Sequence, residues 1–196
     1  MKLNPIRLTG DWEEGFALDY NAKKISWTGS NIFGYPKLNY EYTEIGEILY
    51  YMKEFDEYAK CQELADIMAE FLRSEWKIAD KIDGIIAAPV TADLPNAPLY
   101  KLVKMIGDRT EKPVSVNFFA KLTVGEIKAL DDREKIDIYR NNIKKMKKLQ
   151  SRGNILVVDD FYNTGTTMKS LAGLLKEDIN LDKLYVLTAV LNKKID

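Results

Sequence analysis

Four consecutive apolar residues, Ile155, Leu156, Val157 and Val158, run straight into Asp159 and Asp160, then through Phe161-Tyr162-Asn163 into Thr164-Gly165-Thr166-Thr167. An apolar run this short, closed by charge, is the pattern of a strand buried on both faces of a parallel sheet. Parallel neighbours cannot be joined by a tight hairpin, so helical crossovers must alternate with the strands. The run therefore predicts an α/β fold with a mostly parallel sheet flanked by helices. It also puts both aspartates at the carboxyl end of a strand, where open α/β sheets hold ligands.

The rest of the chain carries the alternation this requires. Thr43 is a helix cap with Glu44 and Glu47 behind it, and Ile45, Ile48, Leu49, Met52 and Phe55 recur at helical spacing. A second helix has Cys61, Leu64, Ala65, Met68, Phe71 and Leu72 on one face. The run from Asp83 to Val90 predicts another buried strand, Leu99, Leu102, Val103 and Ile106 a helix, and residues 114–119 a strand. Residues 121–150 are charged and poor in apolar side chains, which predicts a long polar excursion that returns through a basic helix. A helix over 166–175 and a strand over 184–191 complete the pattern. Residues 1–43 interleave aromatics with Gly10, Gly15, Gly29, Gly34 and Pro36, as expected of short antiparallel strands forming a small hood. With 196 residues, a single domain over 1–196 is expected: the hood over 1–43, an α/β core over 44–196, and the excursion at about 120–150.

Composition removes whole classes of chemistry. There is no histidine, so imidazole-based triads, zinc sites and iron sites are excluded, and one cysteine, Cys61, can form no internal disulfide. Cys61 lies on an apolar helix face and is expected to be a buried, inert thiol. The amino terminus lacks a secretory pattern and no apolar run is long enough to span a membrane, so a cytoplasmic protein with no membrane partner is expected. A formal net charge of -1 makes nucleic acid an unlikely partner. The run Lys144, Lys145, Lys147, Lys148 accordingly reads as a solvated helix face before it reads as a nucleic-acid patch.

The segment after Val158 says more. Gly165 permits close backbone approach, while Thr164, Thr166 and Thr167 set hydroxyls beside the amides of a helix's first turn, which suits a phosphate. The two aspartates would repel a phosphate placed against them and must face another group. A ribose answers this, because its hydroxyls donate to carboxylates while its phosphate lies in the loop. Two acidic residues, three loop residues and Thr-Gly-x-Thr after an apolar strand resemble the signature of type I phosphoribosyltransferases, which bind 5-phosphoribosyl 1-pyrophosphate (PRPP).

The resemblance implies that Asp159 and Asp160 meet the ribose hydroxyls and serve catalysis, and that Asn163, Thr164, Gly165, Thr166 and Thr167 hold the 5-phosphate. Asn163 is a departure, since many members carry threonine there. The resemblance further implies a pyrophosphate loop at Pro89, Val90 and Thr91, a lid whose cations are among Lys121, Lys128, Arg133 and Arg140, and an acceptor contact at Tyr162. Mg²⁺ would arrive with PRPP, helped by Asp159 and Asp160. The activity implied is transfer of phosphoribose to a nitrogenous base or amine, with release of pyrophosphate. Ile48 to Lys53 and Ala88-Pro89-Val90 loosely fit the outline of the ComF-like, competence-associated branch, although the amino-terminal cysteine cluster of many such proteins is missing.

Other readings stay open. Residues 89–96 contain an aspartate and neither lysine nor arginine, which favours a protein that senses PRPP or a nucleotide without turning it over. An accessory role linked to DNA uptake is a weaker alternative. A second copy of the chain, as a homodimer, is the one protein partner this reading entertains.

Overall fold

The computed structural model describes residues 1–90, 96–123 and 142–193. Strand β1 (Ile6–Arg7) and strand β2 (Glu14–Tyr20) precede a hairpin of β3 (Ala22–Ser30) and β4 (Pro36–Tyr42). Helices α1 (Glu44–Glu54) and α2 (Tyr58–Glu70) follow, the second running into a wider helical turn over Phe71–Glu75. Then come β5 (Gly84–Ala87), α3 (Pro98–Thr110), β6 (Val114–Ser115), β7 (Phe119–Lys121) and β8 (Ile143–Lys145). Strand β9 (Gly153–Tyr162), a helix labelled α4 (Thr166–Lys176) and β10 (Leu181–Leu191) end the described chain.

The main sheet has the order β1-β2-β10-β9-β5-β6. Its strands from β2 to β6 are parallel, and β1 pairs antiparallel with β2 at one edge. Helices α1, α2 and α3 pack against one another and, through α1 and α3, against the sheet, whereas α4 packs on β10 and β8. Leu156, Val157 and Val158 are essentially inaccessible, as are Val186, Leu187, Ala189 and Val190 beside them on β10. Burial of both faces is what the unbroken apolar run requires. The α/β architecture, with a mostly parallel sheet between helices, is the expected one.

Several boundaries differ from expectation, each for a physical reason. The aromatic-rich start divides: β3 and β4 form the separate two-stranded sheet, while β2 enters the main sheet as a parallel neighbour of β10. Phe16 explains the division, because its ring packs edge-on against Trp76 at 5.0 Å and Phe71 at 5.8 Å and so belongs to the core. The strand expected over 114–119 breaks into β6 and β7, and β7 leaves the main sheet to pair antiparallel with β8. The basic helix expected on the return is absent from 142–150: its lysines lie on β8 and on the irregular segment after it. Buried Ile143 makes β8 a strand, and Lys145 donates to the Leu174 carbonyl at 2.9 Å, anchoring the strand on α4. The middle of the polar excursion, 124–141, lies outside the described residues. Among the described residues, no helix is long and apolar enough to cross a membrane.

The start of α1 ties the hairpin to the sheet. Thr43 Oγ1 accepts the Gly46 amide at 3.0 Å and donates to the Tyr20 carbonyl at 2.6 Å, closing the helix terminus onto the end of β2. Gly46 has to be glycine, since an added Cβ would overlap the Asn21 carbonyl. Tyr40, Tyr42 and Tyr50 then stack in succession from β4 onto α1. Thr43→Ala is expected to lower unfolding free energy by about 1–2 kcal/mol, since it removes a cap and leaves a carbonyl unpaired. Urea unfolding, with an unchanged m-value, checks this.

Candidate functional site

Strand β9 does not stop where its apolar run stops. It stays paired with β10 through Asp159 opposite Thr188, Phe161 opposite Val190 and Tyr162 opposite Leu191. The two aspartates are thus strand residues rather than loop residues, and successive side chains on a strand point to opposite faces. Asp160 faces the α1 side, where its Oδ2 lies 2.9 Å from Lys53 Nζ in the last turn of that helix. Asp159 faces the α4 side and lines a cavity of about 70 Å³ together with residues 161–168.

That cavity is built by the chain turning off the sheet edge into α4. Tyr162 closes the strand with its carbonyl accepting the Asn192 amide at 2.8 Å, and the Asn192 side chain donates to Asn163 Oδ1 at 2.9 Å. Gly165 sits at φ +77°, a left-handed conformation that side chains rarely tolerate, and a Cβ there would overlap the Tyr162 hydroxyl. Thr164 Oγ1 and Thr166 Oγ1 are hydrogen-bonded at 2.7 Å. As N-cap of α4, Gly165 offers no side chain to the first-turn amides. Glycine, hydroxyls and a helix amino terminus together form a lining suited to an anion.

Electrostatics separate the two carboxylates. Loss of hydration raises the Asp159 pKa from its ordinary 3.8 to about 7, and the neighbouring Asp160 charge adds to the rise. The Asp160 amide, donating to Asp159 Oδ1 at 2.9 Å, opposes it, as do the charges of Lys53 and Lys121. Asp159 therefore needs a cation or hydroxyl donors in order to ionise fully at neutral pH. Burial also raises the Tyr162 phenol above its ordinary range, and that ring lines the same cavity.

The other predicted residues divide into those the fold gathers and those outside its description. Lys121, at the end of β7, is brought within electrostatic reach of Asp159. Pro89 is buried and Val90 half-buried beyond β5, and the Val90 amide points to the Tyr100 hydroxyl at 3.5 Å. Thr91, Lys128, Arg133 and Arg140 lie outside the described residues. Cys61 is buried, and its thiol pKa is pushed up to about 11 by burial, so it is unreactive.

Lys53 is the site residue that sequence reasoning passed over. A lysine in a helix's last turn is common, because it complements the macrodipole, and nothing local distinguishes this one. The available signal was its place at the sheet-facing end of α1, directly after buried Met52. A metal would find few protein ligands: among the described residues, no group of three or more acidic or cysteine side chains is placed to hold one. Asp159 and Asp160 can supply one or two oxygens to a hard cation whose other ligands come from a substrate.

Comparison of whole structures finds similar chains of low identity. A hypothetical protein from Neisseria gonorrhoeae with bound ppGpp is 18% identical, covers 71% of this chain and 71% of its own, and superposes with a TM-score of 0.47. Leishmania donovani UMP synthase is 13% identical over 83% of this chain and 28% of its own, with a TM-score of 0.42. A purine phosphoribosyltransferase from Pyrococcus horikoshii is 15% identical over 68% of this chain and 82% of its own, with a TM-score of 0.40. No family model and no curated protein matches the sequence.

The raised Asp159 pKa has a consequence for stability. Between about pH 4 and pH 7 the folded protein holds a proton on Asp159 that the unfolded chain has released, so stability falls as pH rises through that window. Asp159→Asn removes this dependence. The variant is expected to match the parent near pH 4 and to be more stable than the parent near pH 8. Urea unfolding across that range tests it, and parallel stability curves would contradict it.

Proposed function

We propose that the chain binds PRPP with Mg²⁺ and transfers its phosphoribosyl group to the nitrogen of a base or related amine, releasing pyrophosphate. The observation that carries this reading is the split acidic pair of β9 followed directly by the glycine-floored cavity at the head of α4. A recess of hydroxyls and first-turn amides offers a phosphate its contacts, and Asp159 in the same lining offers a carboxylate to the hydroxyls of the attached ribose. Asp159 and Asp160 accept hydrogen bonds from the ribose hydroxyls. The 5-phosphate takes the recess formed by residues 163–167.

Lys53 and Lys121 supply positive charge that residues 89–96 lack. When a ribose hydroxyl donates to Asp160, the Lys53 ammonium is released from its ion pair and turns to the pyrophosphate. The C1–oxygen bond of PRPP breaks, pyrophosphate leaves with the electron pair, and the nitrogen lone pair forms the new bond to C1. The ring carries positive charge in the transition state, and two fixed carboxylates stabilise it only when ionised. Mg²⁺, when bound with PRPP, neutralises phosphate charge and favours the ionised form of Asp159. Tyr162 is placed beside the recess, where it can contact the acceptor. Such chemistry requires positioning and exclusion of water rather than imidazole. It is consistent with a cytoplasmic protein and does not call for a nucleic-acid partner.

The second reading, a sensor that binds PRPP without turnover, is favoured by the lack of lysine or arginine in residues 89–96. Titration calorimetry with PRPP, with and without Mg²⁺, and pyrophosphate release over a panel of bases separate the two. Turnover with any base establishes the transferase, binding without turnover the sensor, and no binding removes both. Asp160→Asn is expected to weaken PRPP about 10–100-fold by loss of a charge-assisted hydrogen bond, with a cooperative melt retained. Gly165→Val is expected to abolish PRPP binding, because its side chain would be strained at that φ and fill the recess. Unchanged affinity in both variants would refute the site.

A further inference from the structure

A second cavity, of about 330 Å³, opens where residues 146–152 cross the amino ends of β5, β6 and β9. It lies on the α4 side of the sheet, since Gly84, Ile86, Ser115 and Ile155 stand in register across the three strands on the face that also carries Asp159. From Ile155 to Asp159 is roughly 13 Å of strand, so it is separate from the recess described above. Its size falls within the range of small-molecule sites.

The lining has three chemical parts. Pro113, Phe118, Leu149 and Ile155 give apolar walls, of which the Phe118 ring is flat. Lys147, Lys148 and Arg152 stand around the cavity against the single carboxylate of Asp83, which already accepts the Asn154 amide at 2.8 Å. Lys147 is steadied by Asn117 at 2.6 Å and Arg152 by Asp182 at 2.5 Å. Between walls and cations sits Ser115, whose Oγ is the buried side-chain polar atom without a hydrogen-bond partner among the described residues. A buried hydroxyl left unpaired is costly, and rotation of the Ser115 side chain into the cavity would let a ligand's polar edge satisfy it.

These lysines do not form the expected helix face: Lys147 and Lys148 are exposed on the segment that follows β8. Lys145 is committed to the Leu174 carbonyl, while Lys147 and Lys148 line the cavity. We propose that this cavity is a second ligand site, which takes an organic anion with a flat apolar body, the chemistry of a nucleoside monophosphate. The apolar body lies between Phe118 and Leu149, Ser115 meets a polar ring edge, and the anionic group meets Lys147 and Lys148.

Titration calorimetry of the full chain with 1-naphthyl phosphate tests this, with 1-naphthol and inorganic phosphate as the two half-ligands. One-to-one binding about tenfold or more tighter than either half is expected, since walls and cations act together. Ser115→Phe, which fills the cavity, is expected to abolish it. The surface double variant Lys147→Glu/Lys148→Glu should weaken it about tenfold or more, and serves alone if Ser115→Phe does not fold. Gly165→Val, which blocks the PRPP recess, should leave the affinity unchanged, so the two sites fail independently. Absence of saturable binding, loss of binding in Gly165→Val, or indifference to the charge reversal would overturn the proposal.

Discussion

The pairing of β9 with β10 beyond the apolar run is the constraint on which the candidate site depends. Had the strand ended at Val158, Asp159 and Asp160 would be loop residues free to turn together toward solvent. Because Asp159 stays opposite Thr188 and Tyr162 opposite Leu191, the sheet's alternation drives neighbouring carboxylates to opposite faces. One face holds α1 and its Lys53, the other the recess before α4. The strand sends the two carboxylates into different surroundings, while the Asp160 charge still acts on Asp159.

That separation gives the two groups unequal surroundings. Asp160 has a lysine partner at 2.9 Å, whereas loss of hydration and the Asp160 charge raise the Asp159 pKa against one amide donor and more distant cations. The arrangement is costly to the folded state at neutral pH and useful to a ligand that brings hydroxyls or a cation. Groups whose ionisation is unfavourable until a ligand arrives are a recurring property of binding sites.

Much of this was legible in sequence because it is local. The central strand followed from Ile155 through Val158, α1 from Thr43 and its spacing, and the recess from Thr164-Gly165-Thr166. What was not legible depended on partners far along the chain. Lys53 is an ordinary last-turn lysine until α1 is laid across the sheet. The run from Lys144 to Lys148 has helical composition, but Ile143 is buried and Lys145 is tied to α4, so tertiary contacts draw its start into β8. The length of β9 was hidden because Asp159 and Asp160 have low strand propensity and are held by β10. Phe16 looked like a hood residue because its partners, Phe71 and Trp76, lie far along the chain, beyond α2.

The recess adds a last physical step. Gly165 and Tyr162 exclude alternatives to each other: the ring occupies the space a Cβ would need, and the left-handed turn at Gly165 leaves room for the ring. Asn192 holds both the end of β9 and Asn163, so the turn is fixed from the sheet side as well. A recess shaped before its ligand arrives does not have to be ordered on binding, and the interaction energy of an incoming anion goes into affinity rather than loop closure.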